Sequence, residues 1–249
     1  MNDFLKNFFT LNPQNKVSAY FAFIFGFSSI ILTISVGIPQ LVSLLKTKKT
    51  PKGVNFYTFW IFFTGVVGWA FIGSWDPNPA KMAAAAYANM VSAFIFSFTI
   101  FFSYKYSETT KIRKKAWLSL VISLFISGVI TALAIWGIVE KKQMNKHLFD
   151  VCIVLFPMLT TLSFFPVALK SLEQKRFTGM SKGMLYTLLF INVAWLLYWI
   201  SLAFNRNGLD SGIITSITWQ TAALLIYLSQ VILLIKNEHD DKKQTKIKI

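Results

Sequence analysis

Residues 17–45 read VSAYFAFIFGFSSIILTISVGIPQLVSLL, 29 residues without one charged side chain. About 20 apolar residues carry a helix across the hydrocarbon of a bilayer. This run exceeds that length, and the excess predicts a tilted or kinked helix. Pro39 marks a place for the kink, because proline lacks a backbone donor and frees the carbonyl four residues back.

Six comparable runs follow: Tyr57–Ser74, Ala83–Tyr104, Trp117–Val139, Leu148–Leu169, Met184–Phe204 and Ile213–Ile235. Charged residues make up 14% of the chain, against about 25% in soluble domains. A soluble fold of 249 residues has no interior large enough to hide seven such runs. The expectation is an all-α membrane protein of seven transmembrane helices. The tail after Ile235 is charged and short and reads as disordered.

The net charge of +15 is of the size that suggests a nucleic-acid partner. The bases, however, sit in short loops between apolar runs, with no basic face interleaved with aromatics. They point to a bilayer and not to nucleic acid. Eighteen Lys and Arg fall in the loops after the first, third and fifth runs and in the tail; seven fall on the other side. The positive-inside rule then places the C-terminus in the cytoplasm and the N-terminus outside, and the Lys-rich, low-arginine content with no signal fits a plasma membrane. Met1–Lys16 shows no cleavable signal, since the run after it is too long for one. Cys152 is the only cysteine, which excludes an intrachain disulfide and reads as a buried, inert thiol.

The runs repeat. Offset by 127, Thr33 falls on Thr160 and Pro39 on Pro166; one residue less brings Gly53 onto Gly179, Asn55 onto Ser181 and Trp69 onto Trp195. Asn89 and Gln220 each stand 16 residues before a lysine, Lys105 and Lys236. Runs one to three thus match runs five to seven, and run four is left over. The expected architecture is two parallel three-helix bundles joined by a linker helix. Its segments are 1–16 outside, 17–106 as the first repeat, 107–147 around the linker helix, 148–235 as the second repeat and 236–249 as the cytoplasmic tail. Parallel repeats related by an axis along the membrane normal place a solute site between them near the midplane.

The segment Gly37-Ile38-Pro39-Gln40, followed by Lys49-Thr50-Pro51-Lys52-Gly53-Val54-Asn55, resembles the PQ-loop motif. The second unit keeps Pro166 and Gly179-Met180-Ser181 but has Val167 where the glutamine would stand. The chain is similar to the PQ-loop, SWEET and nicotinamide riboside transporter superfamily over nearly its whole length. That resemblance implies a 3+1+3 arrangement of helices. It also implies Trp and Asn residues lining a central pocket, a pattern that Trp69, Asn89 and Trp195 match, with Gln220 as a longer substitute for Asn.

The residues themselves give a compatible reading. Trp69 and Trp195 lie 12 and 11 residues beyond Tyr57 and Met184, roughly 18 Å along the helix in each unit. Asn192 precedes Trp195 by three residues and shares its helical face. Indoles stack on flat or apolar faces, and carboxamides both donate to and accept from hydroxyls. The matched depths predict that Trp69 and Trp195 face one another, with Asn89 and Gln220 beside them. The alternatives are interfacial anchoring for the indoles and helix–helix glue for the amides. Pro39, Gln40 and Pro166 are expected at hinges, and Gly53 and Gly179 at turns of positive φ.

No acid or histidine falls at mid-membrane, which argues against proton coupling. Asp150 is the deepest acid along the sequence, and it reads as a charge favouring the start of its helix. The functional expectation is a passive transporter, a uniporter of a small neutral polar solute such as a sugar. A nicotinamide riboside-like vitamin or an amino acid is the alternative cargo. A heptahelical receptor or sensor is the alternative of another class; the partners expected in the main reading are the solute and the bilayer, with a homo-oligomer left open. No Ser-His-Asp set, metal cluster or phosphate loop appears, so neither an enzyme nor a bound metal or cofactor is expected.

Overall fold

The structure, a computed structural model, describes Phe9, Leu11, Asn12 and residues 14–51, 54–78, 81–177 and 179–247, with the side chains of the last helix described through Lys243. Its helices are α1 (Lys16–Ser35), α2 (Ile38–Thr47), α3 (Phe56–Ser74), α4 (Ala83–Lys105), α5 (Thr110–Arg113), α6 (Ala116–Val139), α7 (Lys146–Leu162), α8 (Phe165–Glu173), α9 (Lys182–Arg206) and α10 (Ser211–Ile247). No strand occurs among the described residues. With α1–α2 and α7–α8 each taken as one path, seven helices are long and apolar enough to cross a membrane. This is the build of a multi-pass membrane protein. The end where α1 starts is called the N-terminal face below, and the opposite end the tail face.

Local chemistry sets the helix ends. Asn55 caps α3 by accepting the Tyr57 N–H at 3.1 Å, and Ser181 caps α9 by accepting that of Met184 at 3.2 Å. These two residues are the ones paired by the repeat offset, so the match of Asn with Ser is a match of N-caps. Gly179 adopts a φ of 92° in the turn before α9. Gly53, its counterpart, lies outside the described residues.

The proline positions correct one expectation. Pro39 and Pro166 do not sit inside continuous helices. Each occupies the first turn of a second segment, α2 or α8. There the missing N–H has no intrahelical partner to lose. The breaks precede them, at Val36–Gly37 and Ser163–Phe164. The Thr99 hydroxyl donates to the Gly37 carbonyl at 3.1 Å, giving the first break a partner from α4. The proline inside a helix is a third one, Pro157 in α7.

The tail corrects another. The chain does not lose order after Ile235; α10 continues to Ile247. Asn237 holds the extension by accepting the Phe177 N–H and donating to the Lys175 carbonyl, both at 2.8 Å, and Lys182 pairs with Glu238. Lys, Glu and Gln in this segment are also good helix formers.

Both α1 and α2 pack on α4, as α7 and α8 do on α10. Helix α3 packs on α4, as α9 does on α10. Three further contacts cross between these groups, α1 with α9, α2 with α9 and α3 with α7. The α3–α7 crossing is tight. A Cβ on Gly65 would lie 2.8 Å from the Thr160 backbone nitrogen, and one on Gly68 would lie 2.0 Å from the Phe156 ring. Small residues let helix backbones approach where lipid supplies no hydrophobic drive. Helix α6 stands apart, packing on α3 and α4 and showing Trp117, Val121 and Phe125 outward.

Candidate functional site

A cavity of about 70 Å³ lies among α1, α3, α4, α7, α9 and α10, several times the space one water needs. Trp69, Asn89, Asn192, Trp195 and Gln220 all line it. The two indoles and two asparagines are 5–7% exposed, so none of these side chains faces lipid as an anchor would. Thr33 and Thr160, also paired by the repeat offset, line the cavity as well. Pro39, Gln40 and Pro166 do not. None of the lining residues is charged.

The arrangement differs from the expected one in two ways. Trp69 and Trp195 do not simply face one another: Trp199 stacks against both. Its ring centroid is 6.4 Å from that of Trp69 and 5.6 Å from that of Trp195, with interplanar angles of 19° and 20°. The asparagines also offer less than a full amide. Asn89 Nδ2 donates to the Ala85 carbonyl at 2.8 Å and Asn192 Nδ2 to that of Leu188 at 2.7 Å. Only the NH₂ end can donate to a carbonyl, so the orientation is fixed. Among the described residues no hydrogen bond reaches either Asn oxygen. Trp195 is tied down too, its N–H donating to Thr33 Oγ1 at 2.8 Å.

Four buried polar atoms with no partner belong to this lining: Ser92 Oγ, Trp199 Nε1, Gln220 Oε1 and Tyr227 Oη. An unpaired buried polar group costs roughly 1–3 kcal/mol. Half of the unpartnered buried side-chain atoms found among the described residues thus gather around this one cavity. Trp199, Ser92 and Tyr227 escape a search based on repeat pairs, because the offsets place Gly73, Ala223 and Phe96 opposite them. Trp199 carries one usable signal, its place four residues beyond Trp195 on the same face.

The two ends of the cavity are closed differently. Toward the tail face lies an apolar cluster that includes Phe59, Phe96, Phe164 and Met184. Beyond it, fully buried Gln40 accepts the Ser181 N–H at 2.8 Å, and Pro39 packs on Gly183. Gln40 is therefore a tie between the α2 and α9 segments and not a free hinge. Toward the N-terminal face, Trp199 is shared with a second, charged cavity.

That second cavity contains the acid the sequence reading passed over. Asp76, in the link after α3, is 5% exposed, and burial pushes its carboxyl up to about 6. Asp150 borders the same cavity, but it lies past the first turn of α7 and accepts from Ser211 Oγ at 3.4 Å. The helix-dipole account of Asp150 fails on position, since that effect fades after the first turn. Lys81 is a staple: its ammonium donates to the carbonyls of Ser74, at 2.8 Å, and Lys142. Burial draws its pKa down.

No protein-family model matches the chain, and no curated protein does. The functional reading rests on the geometry.

Proposed function

We propose that the chain is a passive transporter of a small neutral polar solute, such as a sugar, with its site in the central cavity. The observation that carries this reading is the set of unpartnered neutral polar atoms beside a stack of three indoles. Such a lining suits a solute with hydroxyl or amide groups and one flat or apolar face. It offers no counter-ion, which disfavours amino acids, whereas a nucleoside-like vitamin such as nicotinamide riboside remains the second cargo.

The same reading takes the helices as two parallel three-helix units, α1–α4 and α7–α10, joined by α6. The packing supports it. Exchanging the units turns α1–α4 into α7–α10, α3–α4 into α9–α10, and α1–α9 into α7–α3, and each of these contacts exists. The resemblance to PQ-loop and SWEET-like proteins is proposed on the same grounds. Orientation follows from the bases: the tail face is cytoplasmic and the N-terminal face outside, in a plasma membrane. A reporter fused after Ile249 is expected to behave as cytoplasmic; activity outside the cell overturns the orientation.

The test is uptake into proteoliposomes from a panel of labelled hexoses, nucleosides and amino acids, with no ion gradient. A neutral solute should equilibrate faster than in protein-free vesicles. Asn89→Ala and Gln220→Ala should each weaken its affinity by about 10- to 100-fold, the equivalent of roughly 1–3 kcal/mol for a lost partner in a dry site. Uptake that requires a proton gradient defeats the passive mechanism. Binding without flux for every solute favours the receptor reading.

A further inference from the structure

The second cavity, about 310 Å³, lies at the N-terminal face between the ends of α3, α7, α9 and α10. Unlike the central one it is charged, with Asp76, Asp150 and Asp210 set against Lys146 and Arg206. Most of these charges have employment. Arg206 stands 3.8 Å from Asp210, and Asp210 also accepts the Ile213 N–H at 2.8 Å. Asp150 takes the Ser211 hydroxyl. Asp76 differs. Its Oδ1 accepts the Asn78 N–H at 2.8 Å, while among the described residues no hydrogen bond or ion pair engages its Oδ2. Two aromatic residues, Trp199 and Phe149, border the same space.

A buried carboxylate is costly unless a cation meets it. An aromatic ring nearby attracts a cation through its negative face; that ring is Phe149, since Trp199 is stacked against Trp69 and Trp195. Together they make the chemistry that recognises an ammonium. A metal ion fits less well, because no group of three acid, histidine or cysteine ligands converges among the described residues.

We propose that this vestibule binds a ligand carrying an ammonium group, held by the Asp76 carboxylate with the ring of Phe149 beside it. The inference does not depend on transport through the central cavity. The charged groups around Asp76 are Lys81 from its own link, Lys146 and Asp150 from α7, Arg206 from α9 and Asp210 from the link before α10. The carboxyl titrates near 6, so acid competes with the ammonium. At pH 5 about one carboxyl in eleven is ionised, and affinity should be about tenfold weaker than at neutral pH.

Tetramethylammonium chloride, titrated into the purified full chain in neutral detergent, tests this through tryptophan fluorescence, with sodium chloride at matched ionic strength as reference. The expected result is a saturable change at pH 7.5, absent with sodium and about tenfold weaker in affinity at pH 5. Asp76→Asn should abolish it, and Asp150→Asn should leave it. The same change with sodium, no saturable change at all, or undiminished affinity in Asp76→Asn would each overturn the proposal. Should Asp76→Asn fail to fold, the pH comparison on the unaltered chain decides.

Discussion

Trp199→Ala should unfold at markedly lower temperature than the parent chain and should not bind the neutral solute proposed for the central cavity. The ring is 2% exposed and packs on Trp69, Trp195 and Tyr198. Removing a large buried aromatic typically costs about 3–5 kcal/mol, because the cavity left behind collapses only in part. Trp199→Phe separates packing from hydrogen bonding. It keeps much of the stacked surface and removes an N–H that has no partner among the described residues. Stability should therefore fall far less than in the alanine variant. Solute affinity should still drop by about 10- to 100-fold if the N–H bonds the guest. Thermal unfolding and equilibrium binding, measured on both variants, check the two halves. Phenylalanine binding the solute as tightly as tryptophan would remove Trp199 from the hydrogen-bonding set and leave it a wall.

Trp199 also shows where sequence reading stops. The seven runs are legible because a membrane helix must be apolar along its length, and that signal is local. The pairs Thr33 with Thr160, Trp69 with Trp195 and Asn89 with Gln220 are legible because the sequence offsets set them at matching places in their runs. All six do line one cavity. A residue without a counterpart leaves no such trace. At Gly73, the position the offset sets against Trp199, even a Cβ would come within 2.8 Å of the Met82 carbonyl oxygen, so α3 has no room for an indole there.

Hydrogen bonds are hidden for a different reason. Asn89 and Asn192 read as whole amides until the helix shows that each returns its NH₂ to its own backbone. The tail reads as solvated charge because its anchor, Asn237, holds a loop some sixty residues away in sequence. Asp76 reads as a loop acid because its burial comes from packing around the link and not from any apolar run in the chain.

Asp76→Asn is expected to raise stability at neutral pH and to leave it nearly unchanged in acid. The ordinary carboxyl value of 3.8 rises to about 6 in the folded protein, with burial as the chief cause and Asp210 adding repulsion. The Asn78 N–H, Arg206 and Lys81 oppose the rise without cancelling it. Between the two values the folded chain holds its proton while the unfolded chain has released one. Stability is thus fully present below the unfolded value and is lost as the pH climbs through the folded one. At about 1.4 kcal/mol per unit, the deficit above this window is about 3 kcal/mol. Asparagine removes the charge and keeps an oxygen for the Asn78 N–H, so the variant escapes the deficit. Melting curves at pH 7.5 should place Asp76→Asn above the parent chain, and the two should converge near pH 4. Equal melting at pH 7.5 would mean that the carboxylate pays no burial cost there. A parent chain that gains stability from tetramethylammonium at pH 7.5, beside a variant that gains none, would identify what the buried charge is kept for.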